Sequence, residues 1–395
     1  MNIGIFTNNY RPRLSGVAIS IDTFSQEFRK LGHKVFIFAP SCPGHTETTG
    51  GVFRLSSIPA IYDKTLALPI PYSGKISREV LDLELDIIHS QHPFVMGQFA
   101  ARLARRYKIP LVFTYHTLYE EYAHYIPFNE KIVRKMAIIL STSYANKCDL
   151  VITPSEGIKN LLRTRGVKAW VERIPTGIDL SKFNGIDPKT IRKSYNISNK
   201  TRILLYVGRL AKEKNLVFLI EAFKLVLKKV LDARLIMVGD GPLKKRLKNL
   251  AERLQIEKNI IFAGSLPQKE VYVHHLAADL FVFTSLTETQ GLVLYEALAS
   301  GTPVVTIEAV GTSEIITNGI NGYLIREQVD EFSECVCDLL LNDRKRRRMS
   351  SAAKETAKGF SSTIQAQKML SLYQELLNRK TKSINSSNHK VMVHG

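Results

Sequence analysis

The chain has 395 residues, 45% hydrophobic and 23% charged, which is too long for one ordinary α/β unit, comfortable for two, and too apolar for a disordered chain. Its four cysteines are scattered and build no disulfide or metal framework, and its longest uncharged apolar runs, such as Met136 to Ala145, are too short to span a bilayer. The net charge of +19 is spread along the chain, with 22 Lys and Arg against 15 Asp and Glu in residues 1–180 and 33 against 21 in the rest, so the surface attracts polyanions. Anionic lipid and nucleic acid both fit that charge, but no RNA-binding or helix-turn-helix signature accompanies it.

Asn2 to Thr7 reads as a strand and not as a charged n-region followed by an apolar h-region, which predicts a cytoplasmic protein without a signal peptide. A polar loop with Pro12 and Gly16 follows, then a helical pattern from Val17 to Leu31 that ends at Gly32. This is the first βα unit of an open parallel sheet, in which ligands gather at the carboxyl ends of the strands, so the loop bearing Gly16 is a candidate wall of the site. Lys34 to Ala39 is the next strand. Ile58 to Tyr72 is a Pro-rich loop of apolar and aromatic residues that suits an acceptor cleft, a membrane surface or the edge of a core equally well.

Asp86 to His89 is a further strand, and Phe94 to Tyr107 a helix whose Arg102, Arg105, Arg106 and Lys108 form a basic face opposite Ala and Leu. Such a helix can lie on anionic lipid or simply cover a surface. The strand Ile109 to Tyr115 delivers His116 to a carboxyl end, and Tyr119, Tyr122 and Tyr125 follow. Aromatics of that kind suit an acceptor with a polar head and an apolar tail. Lys131 to Lys147 is helical, Leu150 to Thr153 is a strand, and Ser155 caps the next helix. The Pro and Gly of the 173–179 run RIPTGID mark a domain crossing.

The second half opens on the strand Arg202 to Val207 and a loop in which Gly208 permits close approach while Arg209 and Lys214 supply two cations beside a helix start. A pyrophosphate is the natural counterpart, and a plain charged loop the alternative. Arg234 to Val238 runs into the tight turn Gly239, Asp240, Gly241, Pro242. Lys269 to Ala277 is a helix, and Gly311 to Glu314 offers another amide-rich helix start. Residues 327–341, 344–358 and 363–377 are helical, and residues 380–395 form a polar tail expected to be disordered.

The stretch around which the rest is organised is SLTETQGLVLYEALASGTP, Ser285 to Pro303, fed by the apolar run Leu280 to Phe283. Glu288 lies in the turn, Glu296 two helical turns into a helix expected to start near Gln290, and Gly291 between them leaves the first amides open to an anion. Carboxylates accept from sugar and ribose hydroxyls while amides and cations hold a diphosphate, a combination that suits a sugar nucleotide. Two solvated surface glutamates are the other reading.

Glu288 and Glu296 with Gly291, Ala297, Gly301, Pro303 and Val304 resemble the E-x7-E signature of the family 4 retaining glycosyltransferases, and the tetrapeptide Glu288, Thr289, Gln290, Gly291 resembles the bacterial 1,2-diacylglycerol 3-glucosyltransferase branch. The resemblance implies a GT-B fold: two Rossmann-like α/β domains facing across a cleft, residues 1–176 for the acceptor and 177–362 for the nucleotide sugar, hinged near Pro175 to Asp179, with the 363–379 helix crossing back onto the first. It implies that Gly16 belongs to the loop over the donor phosphate or acceptor, and that His116 sits beside the donor sugar. Arg209 and Lys214, after Gly208, would stabilise the departing diphosphate without a metal ion or other cofactor. Gly239, Gly241 and Pro242 would line the base pocket, and Glu288, Thr289, Gln290, Gly291, Leu292 and Glu296 would hold sugar and ribose. His116, Glu288, Arg209 and Lys214 are then the catalytic set, and Tyr119, Tyr122 and Tyr125 face the acceptor. The implied reaction transfers glucose from uridine diphosphate glucose to diacylglycerol, with retention of configuration, by a protein in the cytoplasm or peripheral on the inner face of the membrane. Phosphatidylinositol or a polysaccharide as acceptor, a sugar-nucleotide epimerase of the same architecture, and a non-catalytic binder of anionic lipid or nucleic acid are the rival readings.

Overall fold

The computed structural model describes residues 1–12, 15–42, 47, 50–59, 67–69 and 79–392, with side chains left out of the description at 59, 67–69, 124, 125 and 381–392. The chain divides into two units, Met1–Gly177 with Ser362–Gly395 and Ile178–Ser361.

The first unit is built on a seven-stranded parallel sheet. Its order is Val52–Leu55, Lys34–Pro40, Asn2–Phe6, Ile87–Ser90, Leu111–Thr114, Leu150–Thr153, Trp170–Arg173. The order reverses between Asn2–Phe6 and Ile87–Ser90, and such a switch point leaves a crevice at the carboxyl ends of the two strands. The inner strands read as unbroken apolar runs because both faces are covered: Ile3, Ile5 and Ile37 pack on one side, Phe6, Phe38 and Phe113 on the other. Of the predicted 58–72 loop, Ala67–Pro69 pairs antiparallel with Ser57–Pro59, whereas residues 60–66 and 70–72 lie outside the described residues.

The last helix, Ser362–Met392, returns the chain to this unit and places Ala366, Met369, Tyr373 and Leu376 in the core beside Phe24 and Phe28 of the helix Gly16–Lys30. Glu27 anchors it: the buried carboxylate accepts from Thr363 Oγ1 at 3.0 Å and Ser362 Oγ at 3.3 Å and pairs with Lys30 at 2.7 Å. The helix continues past Leu377, where its apolar periodicity ends, to Met392. Neither Gly nor Pro occurs between Leu377 and Met392 to stop it.

Two sequence expectations for this unit change. Gly16 is the first helical residue and not part of the preceding loop, because Ser15 takes the cap position and its Oγ accepts from the Ala18 amide at 3.2 Å. The helix Met96–Tyr107 buries Met96, Phe99, Ala100, Leu103 and Ala104, so its apolar side serves the core and only the basic side reaches solvent.

The second unit carries a six-stranded parallel sheet ordered Ile260–Gly264, Arg234–Val238, Ile203–Val207, Leu280–Phe283, Val304–Ile307, Gly322–Ile325. Its reversal falls between Ile203–Val207 and Leu280–Phe283, the two strands that end at the Gly208 loop and the Ser285 turn. One large core of Val, Ile, Leu and Phe side chains binds sheet and helices together. Residues 311–314, expected to start a helix, form turns instead: the amides of Thr312 and Ser313 bond to the Ala309 carbonyl, and the chain goes on to Gly322–Ile325 without a helix.

Candidate active site

In the second unit the switch point is lined from two sides. Tyr206 is fully buried, and its hydroxyl donates to the Arg209 carbonyl at 3.2 Å, which fixes the chain as it leaves the strand. The Gly208 amide bonds to Val238 O at 3.0 Å, that of Leu210 to Asp240 O at 2.9 Å, and that of Leu243 to Leu210 O at 3.0 Å. These bonds zip the Gly208 loop to the Gly239–Pro242 turn. The contact is so close that a Cβ at Gly239 would lie 2.0 Å from the Gly208 carbonyl oxygen, at a φ of +133°, so no residue with a side chain fits there.

From the opposite side, Thr284 Oγ1 donates to the Lys214 carbonyl at 2.8 Å and Ser285 Oγ to the Glu213 carbonyl at 3.3 Å, fastening the end of Leu280–Phe283 to the short 3-10 turn Lys212–Lys214. With its backbone held, the half-buried Lys214 ammonium donates to Glu288 Oε1 and lies 5.9 Å over the Phe283 ring. Burial pushes the Glu288 carboxyl upward, but the charge and hydrogen bond of Lys214, with a smaller effect of the nearby Ser285 hydroxyl, outweigh it, and the net shift is downward. Glu288 is therefore ionised at neutral pH. The turn that carries it is held by the Gly311 amide, which donates to the Glu288 carbonyl at 3.0 Å.

Gly291, at φ +70°, caps the helix Leu292–Ser300, whose start therefore lies one to two residues later than the spacing predicts. Left-handed backbone at that cap is the glycine's contribution. Thr289 is half-buried and Gln290 buried in the turn before it, and Leu292 opens the helix. Glu288 and Glu296 do not share one environment. Glu296 is buried, accepts from Gln268 Nε2 at 2.6 Å, and lies 3.6 Å from Nε2 of the fully buried His275. Arg209 is exposed at the loop's edge.

In the first unit the corresponding carboxyl ends gather three histidines. His89 is buried between Tyr373 Oη at 2.6 Å and Thr114 Oγ1 at 2.7 Å. His92 Nδ1 accepts from the Asn8 amide at 3.2 Å. His116 Nε2 bonds to Gln91 Oε1 at 2.7 Å, which fixes the proton on Nε2 and leaves Nδ1 as the acceptor nitrogen. Burial lowers all three, to about 3 for His89, about 4 for His92 and about 3 for His116, where His92 and His89 add to the effect. His116 is a neutral hydrogen-bonding group at physiological pH.

The tyrosines follow in the 3-10 segment Tyr119–Tyr125. Tyr119 packs edge-on against Phe94 and Tyr115 with ring centroids 5.0 and 5.6 Å away, while Tyr122 is exposed. The Tyr125 side chain lies outside the described residues. The segment is pinned by the buried pair Arg165–Glu120 and by Arg134 bonding both Glu121 oxygens at 3.1 and 3.2 Å.

Gln91, His92, Gln268 and His275 also act on the candidate site residues and carry no motif in the sequence. The first two directly follow the strand Ile87–Ser90 beside the switch point, and that position is the signal for them. Gln268 and His275 reach Glu296 from another helix, and nothing in local spacing signals that.

Residues 14–182 match Glycosyltransferase Family 4 and residues 187–356 match Glycosyl transferases group 1. The chain is 38% identical over 311 residues, 77% of its length and 70% of the relative's, to an alpha-monoglucosyldiacylglycerol synthase of Streptococcus pneumoniae. It is 28% identical to the enzyme of that name from Acholeplasma laidlawii over 98% of this chain and all of that one. Among solved structures, a sucrose-phosphate synthase from Thermosynechococcus elongatus superposes with a TM-score of 0.80 at 20% identity over 96% of this chain and 99% of that one. Anabaena HepE in complex with UDP-glucose gives 0.76 at 20% identity over 95% and 100%. These two show the fold alone. Two Rossmann-like sheets, matched family sequences over both units and the shared identity lead to one conclusion: the chain belongs to the family 4 glycosyltransferases of GT-B fold and is a hexosyltransferase.

Proposed function

We propose that the protein transfers glucose from uridine diphosphate glucose to a membrane lipid of the 1,2-diacylglycerol class, with the donor held by the second unit and the acceptor by the first. The observation that carries the donor half is the Lys214–Glu288 pair at the switch point of the second sheet. An ammonium placed beside amide-rich turns meets the charge that develops on a departing diphosphate, and Arg209 adds a second cation at the loop's edge. Glu288, ionised and pointing to the same ammonium, accepts from sugar hydroxyls; Glu296, braced by Gln268, accepts from the ribose. Gly208, Gly239, Gly241 and Pro242 form the wall against which the base lies. In the first unit His116 offers a neutral nitrogen for the sugar, without a formal proton relay. The cations Arg209 and Lys214 do the charge neutralisation that a metal ion does in other transferases, and transfer proceeds with retention through an oxocarbenium-like transition state.

The acceptor half is supported by the names of the two synthases above, both of which concern glucosyldiacylglycerol, and by the exposed aromatic Tyr122 in the segment that follows His116. Incubating the protein with a panel of labelled nucleotide sugars, with and without diacylglycerol in mixed micelles, tests the proposal. Label entering the lipid phase from uridine diphosphate glucose alone supports it. Label released as free sugar, or transferred only to phosphatidylinositol or to a glycan, refutes the acceptor; a relative named as a GDP-mannose-dependent mannosyltransferase makes GDP-mannose the essential competing donor.

A further inference from the structure

The helix Glu130–Ala145 turns Ser141, Tyr144 and Ala145 into the core. Its outer side is not the polar face expected of such a helix. Ile132, Met136, Ile139 and Leu140 recur at intervals of four, three and one, which aligns them in one stripe, and each is between 47% and 50% exposed. Ile126 at 52% and Phe128 at 67% exposure extend the apolar surface just upstream of the helix. Six large apolar side chains in fifteen residues exceed the scattered single hydrophobics of an ordinary surface.

The helix is tied to the preceding segment by Arg134, which bonds Glu121 and Glu130, and Asn129 caps its first turn, accepting from Lys131 N and Ile132 N. Lys131 and Lys135, both exposed, border the stripe one turn apart. Their charge decides the partner. A second copy of this chain, at net +19, would bring lysine against lysine across a self-complementary contact, whereas an anionic bilayer accepts apolar side chains and attracts the lysines at its headgroups. The helix Met96–Tyr107 cannot do the same, because its apolar side is buried.

We propose that Ile126, Phe128, Ile132, Met136, Ile139 and Leu140, bordered by Lys131 and Lys135, form the face by which the protein docks on an anionic lipid bilayer, with the helix lying in the plane of the headgroups. The inference rests on the lipid-acceptor reading for its purpose, and its test separates the two. Sedimentation of the full chain with vesicles of phosphatidylcholine and phosphatidylglycerol, without donor, is compared for wild type, Ile132→Glu with Ile139→Glu, and Lys131→Glu with Lys135→Glu. Thermal melting shows that each variant is folded, and glucose transfer to a short-chain, water-soluble diacylglycerol is measured in parallel. Wild type binding at least tenfold tighter to the anionic vesicles than to pure phosphatidylcholine, with a tenfold or greater loss in both variants and unchanged transfer to the soluble acceptor, supports the assignment. Equal binding of wild type and variants overturns it. So does a wild-type dimer in light scattering that the glutamate variants turn into monomer, which would give the face to a second copy. Vesicle binding lost in the variants while wild type glucosylates no diacylglycerol would keep this face and sink the acceptor reading.

Discussion

Lys214 and Glu288, 74 residues apart, meet through a direct ammonium–carboxylate hydrogen bond in which both side chains are largely withdrawn from water. The pair joins the turns that follow the two strands flanking the sheet's reversal. Lys214 is what keeps the Glu288 carboxylate charged there, because an unpaired charge in that setting is costly.

Glu288 titrates below its ordinary value of 4.5 because the attraction of Lys214 outweighs burial. A carboxyl with a lowered folded value contributes stability that is complete above about 4.5 and is lost as pH falls through the lowered value. Glu288→Gln is therefore expected to flatten the acid limb of the melting curve measured between pH 3 and 6 while leaving melting at pH 7 less changed in slope. An unaltered acid limb would contradict the pairing.

His89, His92 and His116 are held neutral well below the usual histidine range by burial. The unfolded chain takes up protons near pH 6.5 that the folded chain refuses, so their contribution is complete above that pH and declines as pH falls toward about 4 for His92 and about 3 for His89 and His116. Each histidine can steepen the loss by at most about 1.4 kcal/mol per pH unit. Chemical denaturation at pH 7 and pH 5 is expected to show a marked fall in stability of the first unit, and the His116 ring resonances should not titrate between pH 5 and 8. A His116 inflection near 6.5 would refute its placement.

Gly239→Ala sets a methyl against the Gly208 carbonyl, only 2.0 Å from the ideal Cβ. The backbone of both turns must shift, at a cost of about 2–4 kcal/mol. Lower melting temperature together with weaker uridine diphosphate binding by calorimetry is the expected result.

Gln268→Ala removes the 2.6 Å hydrogen bond to the buried Glu296, a loss of about 1–3 kcal/mol when a buried polar group loses its partner. If Glu296 serves the ribose, KM for the donor should rise about tenfold or more with a smaller change in kcat, and Gln268→Asn should recover part of it. An equal fall in kcat at constant KM would assign the pair elsewhere.

Much of this was legible in the sequence because parallel strands covered on both faces are unbroken apolar runs, as in Ile203–Val207 and Leu280–Phe283, and the turns after them are rich in Gly and Ser. Gly208, Lys214 and Glu288 sit in such turns, so local pattern points to them. Gly16 reads as a loop residue in the sequence, yet the helix begins on it because Ser15, a stronger cap former, stands directly before it. The basic residues of the 94–107 pattern are conspicuous in the sequence, but which side of an amphipathic helix faces water depends on its neighbours: Met96–Tyr107 buries its apolar side, whereas Glu130–Ala145 exposes one. Gln268 and His275 escaped notice because they reach Glu296 only through the packing of two helices.

The central claim is that Lys214, fixed beside Glu288, stabilises the departing diphosphate of a sugar nucleotide. Steady-state transfer by Lys214→Ala, with uridine diphosphate glucose and diacylglycerol in mixed micelles, tests it most directly. The account predicts a kcat lower by about 10²–10³ in a variant that melts as a folded protein, and turnover equal to wild type would contradict it.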